Sequence, residues 1–150
     1  MAELVVEGIA DGVEDLLDLN KELMARKGSD SARSVGIVLR NTTTQTLYLT
    51  STDLSHGVWT EAAPVPNSIG PNSAAAWMSE SEGFMTGTQG SATYSVGTAD
   101  SQEKITVNWD NPYIGSNSYS ESSANAGAFK CNHTGGDGDN ASIVFNFETA

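Results

Sequence analysis

Several residue pairs in this chain are of types suited to chemistry, and none of them completes a site. Ser55 and His56 set a hydroxyl beside an imidazole. A nucleophile and its base must meet in space, and no GxSxG turn raises the serine out of the backbone. Glu80 and Glu82 are two positions apart. On a strand they share a face, the arrangement that paired-carboxylate chemistry uses, but no substrate groove goes with them. The run Asp137-Gly138-Asp139-Asn140 offers oxygen ligands for calcium yet lacks the later acidic ligand of an EF-hand loop. It reads as a hairpin turn. His56 and His133 stand far apart and Cys131 is the single cysteine, so there is no zinc-ligand spacing and no disulfide framework. There is no P-loop and no dinucleotide fingerprint. The chain reads as a non-enzyme without metal or cofactor.

The aromatic residues in polar segments are better candidates. Trp59, Tyr113 and Tyr119 lie in turn-rich stretches where a place in the core is less natural. Each ring pairs an apolar body with a polar tip, which suits a bilayer interface. Tyr also contacts sugars and choline groups. The alternative is that these rings cap the ends of a sandwich. Trp77 and Trp109 fall within strand-like segments and belong to the core.

The elements that must position these residues change character along the chain. Over residues 1–27 the apolar residues Val5, Val6, Ile9, Val13, Leu16, Leu17, Leu23 and Met24 fall on one face at 100° per residue, and the acids Glu3, Glu7, Asp11, Glu14, Asp15, Asp18 and Glu22 fall on the other. This predicts an amphipathic helix, with Arg26 and Lys27 in its last turn and Gly28 as C-cap and hinge. Gly8 and Gly12 inside it each cost about 1 kcal/mol relative to Ala. Residues 28–34 read as a polar linker. From Val35 the period is two, and strands are predicted at 35–41, 46–51, 74–81, 91–97, 104–110, 128–133 and 141–147, with loops at 53–66 and 111–125. Short strands at regular spacing predict an all-β sandwich over residues 35–150.

The formal charge of −12 argues against nucleic acid and against attraction to anionic lipid. No Lys or Arg occurs between Arg40 and Lys104. Membrane contact must then rest on aromatic and apolar insertion or on headgroup hydrogen bonds. The acidic N-terminus with spaced apolar residues is not a signal peptide. The expectation is a protein secreted or released by another route.

Residues 77–149 resemble a known family. WMSESEGFMTGTQGSATYSVG, WDNPYIGSNSYS and TGGDGDNASIVFNFET resemble, in order, the small aegerolysin-like component of a binary insecticidal crystal toxin. The first part, AELVVEGIADGVEDLLDLNKEL with SVGIVLRNTTTQTLYL, is similar to the start of actinoporins. The two resemblances imply an actinoporin/aegerolysin-like sandwich that recognises a membrane lipid. By resemblance, Pro112 and Tyr113 match a headgroup-contacting Pro-Tyr loop, Tyr119 falls where further aromatics are expected, and His56-Gly57 corresponds to a turn near that site.

The expected protein is a pore-forming cytolysin. Its body docks through His56, Trp59, Pro112, Tyr113 and Tyr119. The helix then leaves at Gly28 and inserts, with Val5, Val6, Ile9, Val13, Leu16, Leu17, Leu23 and Met24 against lipid. Glu3, Glu7, Asp11, Glu14, Asp15, Asp18 and Glu22 line a homo-oligomeric, cation-selective pore. About 24 helical residues span about 36 Å, enough for the ~30 Å hydrocarbon core. The alternatives are a non-lytic sphingolipid- or glycan-binding module that works with a larger toxin partner, and a lectin.

Overall fold

The computed structural model describes residues 3–8, 13–27, 31–124 and 127–150, with side-chain surroundings in the helix from Asp18 onward. Ile9, Asp11 and Gly28, and the side chains of Val13, Glu14, Asp15, Leu16 and Leu17, lie outside the described residues. Two sheets face each other. The first runs β1 (Leu4–Glu7), β6 (Ser73–Glu80), β2 (Ser34–Asn41), β11 (Asn140–Thr149), β10 (Phe129–Gly135), with β4 (Val58–Trp59) also paired to β6. The second runs β5 (Ser68–Ile69), β3 (Leu47–His56), β7 (Thr88–Val96), β8 (Lys104–Asn111), β9 (Ser118–Ala124). Pairing is antiparallel except between β11 and β2.

Alternation builds the core. Along β8, Ile105, Val107 and Trp109 point inward while Lys104, Thr106, Asn108 and Asp110 point out. They meet Ile37, Leu39, Trp77, Phe145 and Phe147 of the facing sheet. The Trp77 ring lies 6.1 Å from Trp109 and 6.2 Å from Tyr94. β6 is buried on both faces, because α1 (Val13–Arg26) covers its outer side. Leu19 and Leu23 of that helix pack on Val38, Ala74, Ala76 and Met78 in a second, smaller cluster. Gly36 permits the close approach: a side chain there would press on Leu23 and Met24.

The single helix expected over residues 1–27 is corrected in its first part. Leu4–Glu7 is a strand, paired to β6 in the register Val5↔Ala75 and Val6↔Ala74. The adjacent β-branched Val5 and Val6 suit a strand, where neighbours point to opposite faces. Val5 packs against the main core, and Leu4 and Val6 against the outer cluster. Gly8, at φ +72, ends the strand and donates its N–H to the Asn72 carbonyl at 2.7 Å. The helix that remains has 14 residues. At 1.5 Å per residue that is about 21 Å, short of a bilayer core.

Two segments read as loops are partly strand. β3 continues to His56 and β4 follows it within 53–66, and Ser118–Ala124 forms β9 within 111–125. β9 is an edge strand of mostly Ser whose backbone pairs with β8, so it has no apolar alternation to read.

Candidate functional site

One end of the sandwich gathers the β6–β7 loop (81–87), the β8–β9 loop (112–117) and the turn after β3. Gly57 of that turn, at φ +90, takes a conformation that side chains disfavour. Gly87 lies against the β8–β9 loop. A Cβ on it would come within 3.0 Å of the Asn111 carbonyl, Pro112 Cα and Tyr113 N, so only glycine lets the two backbones touch. The Thr86 hydroxyl closes the β6–β7 loop by donating to the carbonyls of Glu82 (2.7 Å) or Gly83 (2.9 Å). Met85 sits at φ +58, an uncommon conformation for a residue with a side chain.

These two loops carry every large apolar side chain that is exposed among the described residues: Phe84 (89%), Ile114 (80%) and Met85 (50%). Below them is a cavity of about 500 Å³ whose walls include His56, Met85, Thr88, Asp110, Tyr113 and Ile114. Exposed apolar side chains beside a cavity of mixed apolar and polar lining are the form of a site that receives an amphiphile.

Tyr113 is braced from behind. The Arg33 guanidinium lies over its ring at 4.5 Å, donates from Nη2 to its carbonyl at 3.0 Å, and stands 3.6 Å from Asp139. Asn111 Nδ2 donates to the carbonyls of Ser34 (3.1 Å) and Asp139 (2.8 Å), and Asn117 Nδ2 to those of Gly136 (2.8 Å) and Gly138 (2.9 Å). The acidic stretch 136–139 thus supports the β8–β9 loop with its backbone carbonyls. Tyr119 joins this bracing. Its hydroxyl donates to the Gly136 carbonyl at 2.7 Å, its ring fills the space a side chain on Gly136 would need, and burial pushes its pKa up to about 12.

A second depression, of about 420 Å³, adjoins the first on the outer face of the β3–β9 sheet and shares Gln89 and Asp110 with it. Its walls are otherwise short polar side chains, with Trp109 and Tyr119 beneath.

Of the five residues expected at a headgroup, His56, Pro112 and Tyr113 line the first cavity and Tyr119 the second. Trp59 lines neither. It packs edge-on against Trp109 at 5.9 Å and borders a hollow with Leu49 and Val65 on another part of the surface. Among the acids assigned to a pore, Glu3 accepts from Asn67 N at 2.9 Å, Glu22 pairs with Arg26 at 3.0 Å, and Glu7 and Asp18 are exposed. Ser55 donates to Asp53 at 3.3 Å, away from an imidazole acceptor. Glu80 accepts from Ser31 at 2.7 Å, while Glu82 lies beyond the strand end and is exposed, so the two carboxylates do not form a strand-face pair.

Sequence reasoning missed Phe84, Met85, Ile114 and Arg33. The first three had a readable signal: apolar residues within polar, glycine-flanked turns have no core side to face. Arg33 had none, because its partners are distant in sequence.

A family model described as Aegerolysin matches residues 32–144. Among solved structures, the lipid binding protein Nakanori aligns with a TM-score of 0.76 at 16% identity, covering 90% of this chain and 79% of Nakanori. IP-1A from Alcaligenes faecalis aligns with a TM-score of 0.58 at 17% identity, covering 79% of this chain and 92% of its own. At these identities the two structures bear on the fold alone. No curated protein sequence matches the chain significantly.

Proposed function

The chain belongs to the aegerolysin family, and from that premise we propose that it binds membrane lipid by its loop end, taking a headgroup into the cavity between the Phe84 and Ile114 loops. The observation that carries this is the collection of Phe84, Met85 and Ile114 on two touching loops, with Met85 and Ile114 lining one cavity. Exposed apolar groups scattered singly need no explanation, but a cluster on two touching loops beside a cavity does. The loops would enter the interface while His56, Asp110 and Tyr113 meet the headgroup. That the structural neighbour Nakanori is a lipid binding protein agrees with this reading.

In this reading residues 1–27 stay on the body, since β1 is hydrogen-bonded into a sheet and α1 covers an apolar face. The test is co-sedimentation with phosphatidylcholine and sphingomyelin vesicles. Wild-type protein should pellet, and Phe84→Ser with Ile114→Ser should stay in the supernatant with unchanged thermal stability. Equal pelleting of both proteins would refute the site.

A second reading, the pore former, is favoured by one observation. Of the described N-terminal segment only Val5 reaches the main core, so the sandwich interior would survive its release. The segment would leave as a unit, assemble as a homo-oligomer and line a pore with its acids. Dye release from vesicles by the protein alone supports it; binding without release leaves the headgroup module, acting alone or with a larger toxin partner.

A further inference from the structure

We infer that the second depression is a subsite for an uncharged sugar, so that the preferred ligand of the loop end is a neutral glycan headgroup. This rests on the lipid-docking reading for its source in a membrane, though not for its chemistry.

Strand register builds the subsite. Asp53↔Ser91, Ser91↔Asn108 and Asn108↔Ser120 form a row of outward polar residues straight across β3, β7, β8 and β9. One step nearer the loop end, Gln89↔Asp110 and Asp110↔Ser118 form a second row. Successive outward residues on a strand are about 7 Å apart and strands about 4.8 Å, so the two rows frame an area of about one or two sugar rings. Among the described residues, the side chains of Gln89, Ser91, Asn108, Asp110, Ser118 and Ser120 have no hydrogen-bond partner in the protein. The neighbouring row differs: the Thr93 and Thr106 hydroxyls bond to each other at 2.8 Å. Gln89, Ser91, Asn108 and Asp110 are half-buried and line a concavity.

The composition selects the ligand. Amides and hydroxyls both donate and accept, the Asp110 carboxylate is free to accept from adjacent sugar hydroxyls, and Asp53 can do so beside its bond from Ser55. That mixture matches a polyol. Two carboxylates and no Lys or Arg in the walls oppose a phosphate, sulfate or sialic acid. Trp109 is buried, so its face is not open to form a cage for a quaternary ammonium. The subsite also lies where a headgroup would extend. With Phe84, Met85 and Ile114 in the interface, Gln89 and Asp110 continue the first cavity away from the bilayer, the direction in which a glycolipid sugar projects.

The experiment measures binding of the full chain to phosphatidylcholine vesicles that carry glucosylceramide, galactosylceramide, sulfated galactosylceramide or no glycolipid. At least one uncharged glycolipid should tighten binding about tenfold, and the sulfated form should not. Asn108→Ala, at a half-buried position facing out of the sheet, should remove that increment and keep binding to plain vesicles, with the circular dichroism spectrum unchanged. Binding that ignores both uncharged glycolipids, or an increment that survives Asn108→Ala, overturns the subsite and leaves lipid docking standing. Retention on immobilised lactose, released by free lactose, by a protein that binds none of the vesicles would keep the subsite, assign it a soluble or protein-linked glycan, and refute lipid docking.

Discussion

Ile114, Phe84 and Met85 show how a few side chains can define a surface. Burying one such side chain is worth about 1.5–3 kcal/mol. Ile114→Asp should therefore weaken vesicle binding by about tenfold or more while leaving the melting temperature unchanged, because the side chain makes no core contact in the free protein. Equal binding of the variant in a flotation assay would remove Ile114 from the interface. Arg33 acts differently, through Tyr113. Arg33→Met keeps much of the volume but loses the ring contact, the bond to the Tyr113 carbonyl and the Asp139 pair. It should speed dissociation from vesicles several-fold without abolishing binding, which surface plasmon resonance on a lipid layer would resolve. At Gly87, even Ala would force the two loops apart. An overpacking cost of about 1–3 kcal/mol is expected in urea unfolding, together with weaker vesicle binding.

At the scale of elements, the N-terminal segment decides between the two functional readings. β1 adds a strand to the edge of β6, and α1 lies on the outer face of β6 and β2. Val6 and Ala74 are register partners, and facing residues of an antiparallel pair lie about 4.5–5.5 Å apart at Cα. That separation suits a disulfide. Val6→Cys with Ala74→Cys should therefore close on oxidation. If the protein releases dye only by freeing this segment, the oxidised variant should bind vesicles without release, and reductant should restore release. Release unaffected by oxidation would show that β1 stays in place.

For the whole molecule, charge and burial set the working conditions. A net charge of −12 repels anionic bilayers. Adding phosphatidylserine to vesicles should weaken binding at low ionic strength, and salt should reduce that penalty by screening. Burial also fixes an alkaline limit. It pushes the Cys131 thiol up to about 12, helped by the carboxylates of Glu121 and Glu148, and Tyr119 likewise up to about 12. Tyr94, whose hydroxyl donates to the Pro66 carbonyl, is raised as well by burial. These acids stay neutral in the folded chain above the pH at which they ionise when unfolded. Their contribution is complete below their ordinary values of 9.0 and 10.0 and is lost as pH climbs toward about 12. Unfolding free energy from urea titrations should fall across that window, and a flat profile would contradict the burial of these groups.

What the amino-acid order determined by itself was whatever local periodicity encodes. Alternation in KITVNWD marked an inward-facing strand, and Trp77 and Trp109 were legible as core because both fall within strand-like segments. The family was legible from a few unusual turn strings that lie in the end loops and their adjoining strands. Tertiary structure decided the rest. LVVE is a strand only because the edge of β6 is there to pair with it, so a helical pattern on paper became two elements in space. β9 carries no apolar signal and exists through backbone pairing alone. Trp59 was drawn to Trp109 and away from the site. The cavity and the polar rows bring together β3, β7, β8, β9 and two loops, and register across strands is a long-range property that no single segment contains.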